Sequence, residues 1–482
     1  MEKKSIKKNY IYNLIYQILI IILPLITTPY ISRVLGADGV GIYGYTLSIA
    51  TYFVLFGSLG IAMYGQREIA YCRDDLDKRS KNFWEIFILR LFTMSISIIA
   101  FIIIFLNRND YSIYYRILIL ELIANVLDIS FFFQGLEEFK KTVTRNLILK
   151  IVSVICIFIF IKQSSDLWLY ILIYTLSNVF GNLSLWIYLP EYIRKVKIKE
   201  LEIKKHLKPT ITLFIPQVAM QIYLVLDKTM LGKFLGDMTE VGNYEQSQKI
   251  VKLTLSIITA LGTVVAPRIA NIISNGEKEK ISEYLENSFT FVWFLGLPIM
   301  FGLMAISTSL TTWFLGVGYE ESSILIKIGS LLILAIGLNN VTGIQYLIPA
   351  KKQNEYTKSV IIAAIINFAL NCILIHKFKA VGAIVASVIA EFSIVFIQLY
   401  DVRKDFDLKI VVKNSYKFII SSIIMFIPTF IIGYKLAPTV KTTIIQISVG
   451  IIIYFIVLII LKEKYVYQFL DKISKKLNKQ GE

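Results

Sequence analysis

The sequence predicts an all-α membrane protein: a polytopic bundle of about 14 transmembrane helices. Two six-helix lobes are related by a parallel pseudo-two-fold repeat, and a terminal helix pair follows. Three observations lead there. Apolar runs of roughly 20 residues, enough to cross a hydrocarbon core of about 30 Å, recur along the whole chain of 482 residues. Its basic residues gather on alternate connections between those runs. A faint likeness links the chain to itself at a spacing of about 200 residues. Composition agrees, with 56% hydrophobic residues and a mean hydropathy of +0.65, well beyond a soluble domain. The roughly ten-residue alternating segments of a membrane barrel are absent, so helices are the spanning element.

The runs lie at 10–31, 41–63, 83–106, 111–133, 143–161, 167–189, 209–231, 241–266, 289–312, 322–347, 358–376, 380–400, 415–434 and 441–461. With the N-terminus in the cytoplasm, and basic residues among the first three of a run counted with the adjoining loop, 36 of the 51 Lys and Arg fall in cytoplasmic tails and loops, eight in outer loops and seven in helices. That is the positive-inside bias, and it places both termini in the cytoplasm. The net charge of +17 is therefore topological, and stretches such as RKVKIKELEIKKHLK (194–208) face anionic lipid headgroups, with no nucleic acid as partner. The first run is too long for a signal-peptide core and no small-x-small cleavage site follows it, so it is expected to stay as the first helix. Cys72, Cys156 and Cys372 suggest no disulfide, and His206 and His376 have no companions at ligand spacing. No metal and no cofactor is expected.

The expected domains are an N-terminal lobe at 1–208, a C-terminal lobe at 209–402, and a last pair with a basic tail at 403–482. At an offset of 200, Ile15, Gln17, Ile22, Leu35 and Gly36 meet Ile215, Gln217, Ile222, Leu235 and Gly236, and Arg33 meets Lys233. After one inserted residue, Val40-Gly41-x-Tyr43 meets Val241-Gly242-x-Tyr244, and further on Leu59-Gly60 meets Leu261-Gly262. An even number of helices per half makes the repeat parallel, a transporter arrangement that expects a substrate path between the halves. Glycines at these corners suit a tight turn and close backbone approach.

Ionisable residues inside a membrane helix each cost about 2.5–3.5 kcal/mol on insertion scales unless they face protein or water. They are the strongest local indication of function. Arg33 stands at an outer corner, with Arg90, Arg116, Glu121, Asp128 and Lys150 inside the helices of the first half. The second half has Asp227, Lys228, Lys249, Lys252, Lys327 and Glu391. Arg90 with Glu121 or Asp128 as a structural ion pair is an equally physical reading. Amides recur one turn apart at Asn13/Gln17, Asn178/Asn182, Gln217/Gln221 and Asn367/Asn371, each pair on one helix face. Interhelical hydrogen bonds are the plain explanation. Together with cations, such amides also suit a sugar-bearing phosphate headgroup.

Two stretches resemble a known family: NYIYNLIYQILIIILPLITTPYISRVLGADGVGIYGYTLSIATYFVLFGSLGIAMYGQREIA (9–70) and FFFQGLEEFKKTVTRN (131–146). They are similar to the Wzx-type oligosaccharide flippases, in the polysaccharide-synthesis family of a superfamily that also holds multidrug antiporters and the lipid II flippase. The resemblance implies a non-enzymatic transporter in the bacterial cytoplasmic membrane. It would move undecaprenyl-pyrophosphate-linked oligosaccharide repeat units to the outer leaflet by alternating access through a cationic central cavity. Capsule or exopolysaccharide assembly is the expected setting, with a polysaccharide polymerase as an expected neighbour. The lining expected here is Arg33, Arg90, Arg116, Lys228 and Lys249, with the amides as polar lining. Glu121, Asp128, Asp227 and Glu391 are candidates for ion coupling. A multidrug antiporter would favour acidic lining, and here basic residues predominate. A polyprenyl-phosphate sugar transferase would need RDDLDK (73–78) to hold a metal, yet Arg73, Lys78 and Arg79 balance those carboxylates as in a solvated loop.

Overall fold

The computed structural model describes residues 6–106, 110–274, 278–413, 415–463, 465 and 467. Among them there is no strand. Contacts divide the chain into two compact units, Met1–Gly242 and Asn243–Glu482. This division falls inside a helix, whereas the repeat read from the sequence begins anew at 209. One boundary follows packing and the other follows sequence recurrence.

The first unit holds α1 (Ile6–Ser58), α2 (Ile61–Tyr71), α3 (Leu76–Phe105), α4 (Ser112–Leu127), α5 (Ser130–Gly135), α6 (Phe139–Phe160), α7 (Leu167–Trp186), α8 (Leu207–Leu235) and the start of α9 (Met238–Ser274). The corner expected between the first two runs is a single residue, Gly36, whose φ of 69° and ψ of 174° suit glycine and almost nothing else. Positive φ at Leu59 and Gly60 ends α1. Asp75 then caps α3, its carboxylate accepting the Lys78 N–H at 3.0 Å, and that bond holds its pKa below the usual carboxylate range.

The second unit holds the rest of α9, then α10 (Lys278–Phe291), α11 (Leu297–Phe314), α12 (Glu320–Gly329), α13 (Leu331–Asn339), α14 (Gln353–Val402), α15 (Lys409–Val412), α16 (Ser415–Lys435) and α17 (Val440–Ile460). Wider π turns at Val292–Gly296 and Asn340–Leu347 run into α11 and out of α13. Ten helices among the described residues are long and apolar enough to cross a membrane. Two of these, Ile22–Tyr71 and Gln353–Val402, are 50 residues long and broken at Gly36 and Lys379; the second holds two of the apolar runs, and the first holds one with the end of another. Outward faces carry exposed Ile, Leu and Phe, as at Phe92, Ile96, Ile99 and Ile103 on α3, which suits a hydrocarbon solvent.

The recurring Val-Gly has a physical reason. A Cβ at Gly41 would overlap the Met238 carbonyl, and one at Gly242 would overlap the Ala37 carbonyl. At the inserted-residue offset, Gly41 corresponds to Gly242 and Ala37 to Met238. The contact is therefore reciprocal, as across a two-fold axis. Both glycines are required by the same backbone approach.

This contact makes a testable statement. Gly41→Ala and Gly242→Ala should each cost about 1–3 kcal/mol through overpacking, read as a lower thermal midpoint of the detergent-purified protein. Gly302→Ala, whose Cβ meets nothing within 4 Å, should leave it unchanged. Equal tolerance at all three positions would remove the close approach from the account.

Candidate functional site in the membrane helices

Several of the ionisable and amide side chains predicted in the helices form hydrogen-bonded groups within their own unit. Arg90, 3% exposed, donates through Nη1 to the Asp128 carbonyl at 2.8 Å. Its Nη2 lies 3.8 Å from the Asp128 carboxylate. Asp128 stands beyond the end of α4 rather than inside a helix: its φ of −72° and ψ of 106° break the run predicted at 111–133. The carboxylate turns back to accept the Ser130 N–H at 2.9 Å and the Ser130 hydroxyl. The helix break thus exposes a carbonyl, and Arg90 satisfies it. This is the ion pair that the sequence allows as a structural reading.

About two turns further in, the half-buried Glu121 accepts Nδ2 of Asn178 at 2.8 Å, with Asn125 at 3.4 Å. Asn182 donates to the Ala124 carbonyl at 2.6 Å and accepts from Arg145 at 3.3 Å. The i, i+4 pair on α7 therefore shares one face, as its spacing predicts, and that face meets α4. Asp227 is 6% exposed. Two residues on, Thr229 meets Ser48 at 2.8 Å and the Tyr52 hydroxyl at 3.2 Å, fixing α8 to the second half of α1.

In the second unit, Glu391 accepts Nδ2 of Asn339 at 2.6 Å. Asn371 donates to Asn367 at 3.1 Å, and both are 0% exposed. These two amides are packed inside their own unit. Among the expected cations, Arg33 and Arg116 are exposed, while Lys228 and Lys249 are half-buried. Gln221 is exposed. The side chains of Asn13, Gln17 and Gln217 lie outside the described residues.

Sequence reasoning passes over a densely bonded carboxylate. Glu85, 0% exposed on α3, accepts from Lys205 Nζ at 2.8 Å, His206 Nε2 at 2.8 Å and the Glu202 N–H at 2.6 Å. His206 Nδ1 meets the Tyr64 hydroxyl at 2.7 Å. Both ring nitrogens of His206 are thus engaged. The group ties the connector before α8 onto α2 and α3. Its partners stand some 120 residues from Glu85 in sequence, so no local pattern announces them. The only cue is a carboxylate within a predicted membrane run.

Removing one partner of a buried pair leaves an uncompensated charge, at a cost of about 3–5 kcal/mol. Arg90→Ala should therefore depress the thermal midpoint and folded yield far more than Arg116→Ala, with Arg90→Lys intermediate. A melt of Arg90→Ala superimposed on the parent protein would exclude the pair as a structural element.

The polar groups described here sit within a chain with recognisable relatives. The model for "Polysaccharide biosynthesis protein" matches residues 6–273. The protein named "Putative O-antigen transporter" of Escherichia coli (strain K12) is 26% identical over 410 residues, covering 84% of this chain and 98% of that one. "Probable low-salt glycan biosynthesis flippase Agl15" of Haloferax volcanii is 25% identical over 170 residues, 35% of each chain. Among solved structures, "Lipid II flippase MurJ, inward closed conformation" superposes with a TM-score of 0.76 at 17% identity, covering 95% of this chain and 100% of that chain. This last likeness is one of fold. The family model spans more than half of the chain, from α1 into α9. The chain is a multi-pass membrane protein that belongs to the polysaccharide biosynthesis protein family.

Proposed function

We propose that this protein is a flippase, carrying undecaprenyl-pyrophosphate-linked oligosaccharide repeat units from the cytoplasmic to the outer leaflet of a bacterial cytoplasmic membrane by alternating access. Capsule or exopolysaccharide assembly is the setting. The observation that carries the reading is the near full-length match to a protein named for O-antigen transport, on a chain whose membrane helices hold basic residues. The polyprenyl tail stays in hydrocarbon while the charged headgroup crosses. A pyrophosphate leaving water needs partner charges, because an uncompensated buried charge costs several kcal/mol.

The cations suited to that task are Arg33, Arg116, Lys228 and Lys249. Each is at least partly exposed and reaches a passing phosphate without dismantling the core. Arg90 has a different task in this reading, holding α3 to the broken end of α4. Gln221, with Asn13, Gln17 and Gln217, exchanges hydrogen bonds with sugar hydroxyls. An inside-negative potential drives two negative charges outward by about 2.3 kcal/mol per charge per 100 mV. Glu121 and Glu391, each bonded to a neutral amide, serve for proton or sodium coupling, with Asp227. The basic connector at 194–208 rests on anionic lipid headgroups.

Lys249→Ala and Arg116→Ala should lower the delivery of lipid-linked repeat units to the outer leaflet by about tenfold at equal protein abundance, the loss of one charge-assisted contact. Lys441→Ala, on an exposed helix start, should not. Normal delivery by both variants would place the headgroup path elsewhere. If coupling exists, Glu121→Gln or Glu391→Gln should change how transport responds to an imposed ion gradient. An unaltered response in both would leave membrane potential as the driving force.

A further inference from the structure

The second unit contains a pocket that the proposed transport path does not use. Its volume is about 320 Å³, and it lies between the last turns of α11 and the first turns of α12. Thr308, Thr311 and Thr312 line one wall, and Ser323, Ile324 and Lys327 the other. The turn joining the helices closes one end with two glycines of positive φ, Gly316 at 97° and Gly318 at 89°. Thr308 Oγ1 and Ser323 Oγ, 2.9 Å apart, join the walls. Thr311 and Thr312 donate to the carbonyls of Ser307 and Thr308, one turn back on α11, which leaves their hydroxyl lone pairs free to accept.

The cation is the informative feature. Lys327 is half-buried, within a helix apolar enough to cross a membrane, and has no hydrogen-bond or ion-pair partner among the described residues. Glu320, also in the lining, already accepts the Gly318 N–H at 3.1 Å. An ammonium kept at membrane depth without an anion is costly, and here it adjoins a cavity large enough for a small molecule. The remaining lining divides into hydroxyls and apolar surface, the latter from Val317, Ile324 and Tyr319. A pyranose ring presents the same two characters, hydroxyls around its edge and C–H groups on its faces.

We propose that this pocket binds an acidic sugar, with its carboxylate on the Lys327 ammonium and its hydroxyls on Thr308, Thr311, Thr312 and Ser323. Its lining includes none of the helix cations assigned to the headgroup. It does not require the flippase reading to hold. The terminal sugar of a glycan and a free uronic acid offer the same chemistry, so free glucuronate serves as the probe.

The test is saturation-transfer NMR on the full chain in detergent micelles, with glucuronate, glucose and inorganic phosphate as probes. Glucuronate should receive saturation, and glucose should bind about tenfold more weakly for want of the charge-assisted contact. Phosphate should displace glucuronate far less well than unlabelled glucuronate does. Lys327→Gln should weaken glucuronate binding by about tenfold, while Lys441→Gln leaves it unchanged. Should Lys327→Gln fail to fold, Ser323→Ala provides the second variant, again with weaker binding expected. Undiminished binding in the folded variant, glucose matching glucuronate, or phosphate displacing it as effectively as glucuronate would each overturn the proposal.

Discussion

A polar group inside a bilayer finds no water, so every N–H, carbonyl and charge must be satisfied by the chain itself. Regular helix satisfies the backbone, which is why almost every described segment is helical. Where α4 breaks and where the helix widens before α11, a side chain from another element meets a backbone carbonyl. Arg90 meets the Asp128 carbonyl at the broken end of α4, and nearby Trp186 meets that of Leu127 at 2.8 Å. In the π turn before α11, the Tyr454 hydroxyl donates to the Phe294 carbonyl at 2.7 Å. Gln446, 0% exposed, reaches the carbonyls of Ala305 and Thr429. These bonds cross between elements distant in sequence and fix how the helices pack.

The same constraint separates two kinds of membrane charge. Arg90, Glu85 and Glu121 have been drawn into hydrogen bonds within the first unit, and their burial is tolerable because those bonds are made. Lys249 and Lys228 are half-buried and Arg33 and Arg116 exposed. In the transport reading proposed above, buried groups such as Arg90 keep the helices in register, and these partly exposed cations engage the charged cargo.

Much of the architecture was legible from hydropathy alone. Each apolar run has a helix over it, and the Gly36 and Lys379 breaks fall in the gaps between runs. The recurrence of Val-Gly pointed to close approach, and the reciprocal overlap at Gly41 and Gly242 supplies the reason. The site was less legible. Spacing showed that Asn178 and Asn182 share a face, but not that the face meets Glu121 and the Ala124 carbonyl. Asp128 read as a helix residue because its neighbours are apolar, and its turn back onto Ser130 is a local competition that hydropathy does not register. Glu85 escaped notice because its partners are distant in sequence. Lys327 gives no sign in the sequence of the cavity beside it, since a cavity is a property of packing.

The central claim, that the chain itself moves a lipid-linked oligosaccharide across the bilayer, is tested most directly with purified protein. Vesicles reconstituted with the full chain and an undecaprenyl-pyrophosphate-linked oligosaccharide would be treated from outside with a glycosidase that cannot cross. The account predicts that the protein exposes the inner-leaflet pool to the enzyme, faster under an inside-negative potential than without one, while protein-free vesicles keep it protected. Protection equal to that of protein-free vesicles, with folded protein present in both orientations, would contradict it.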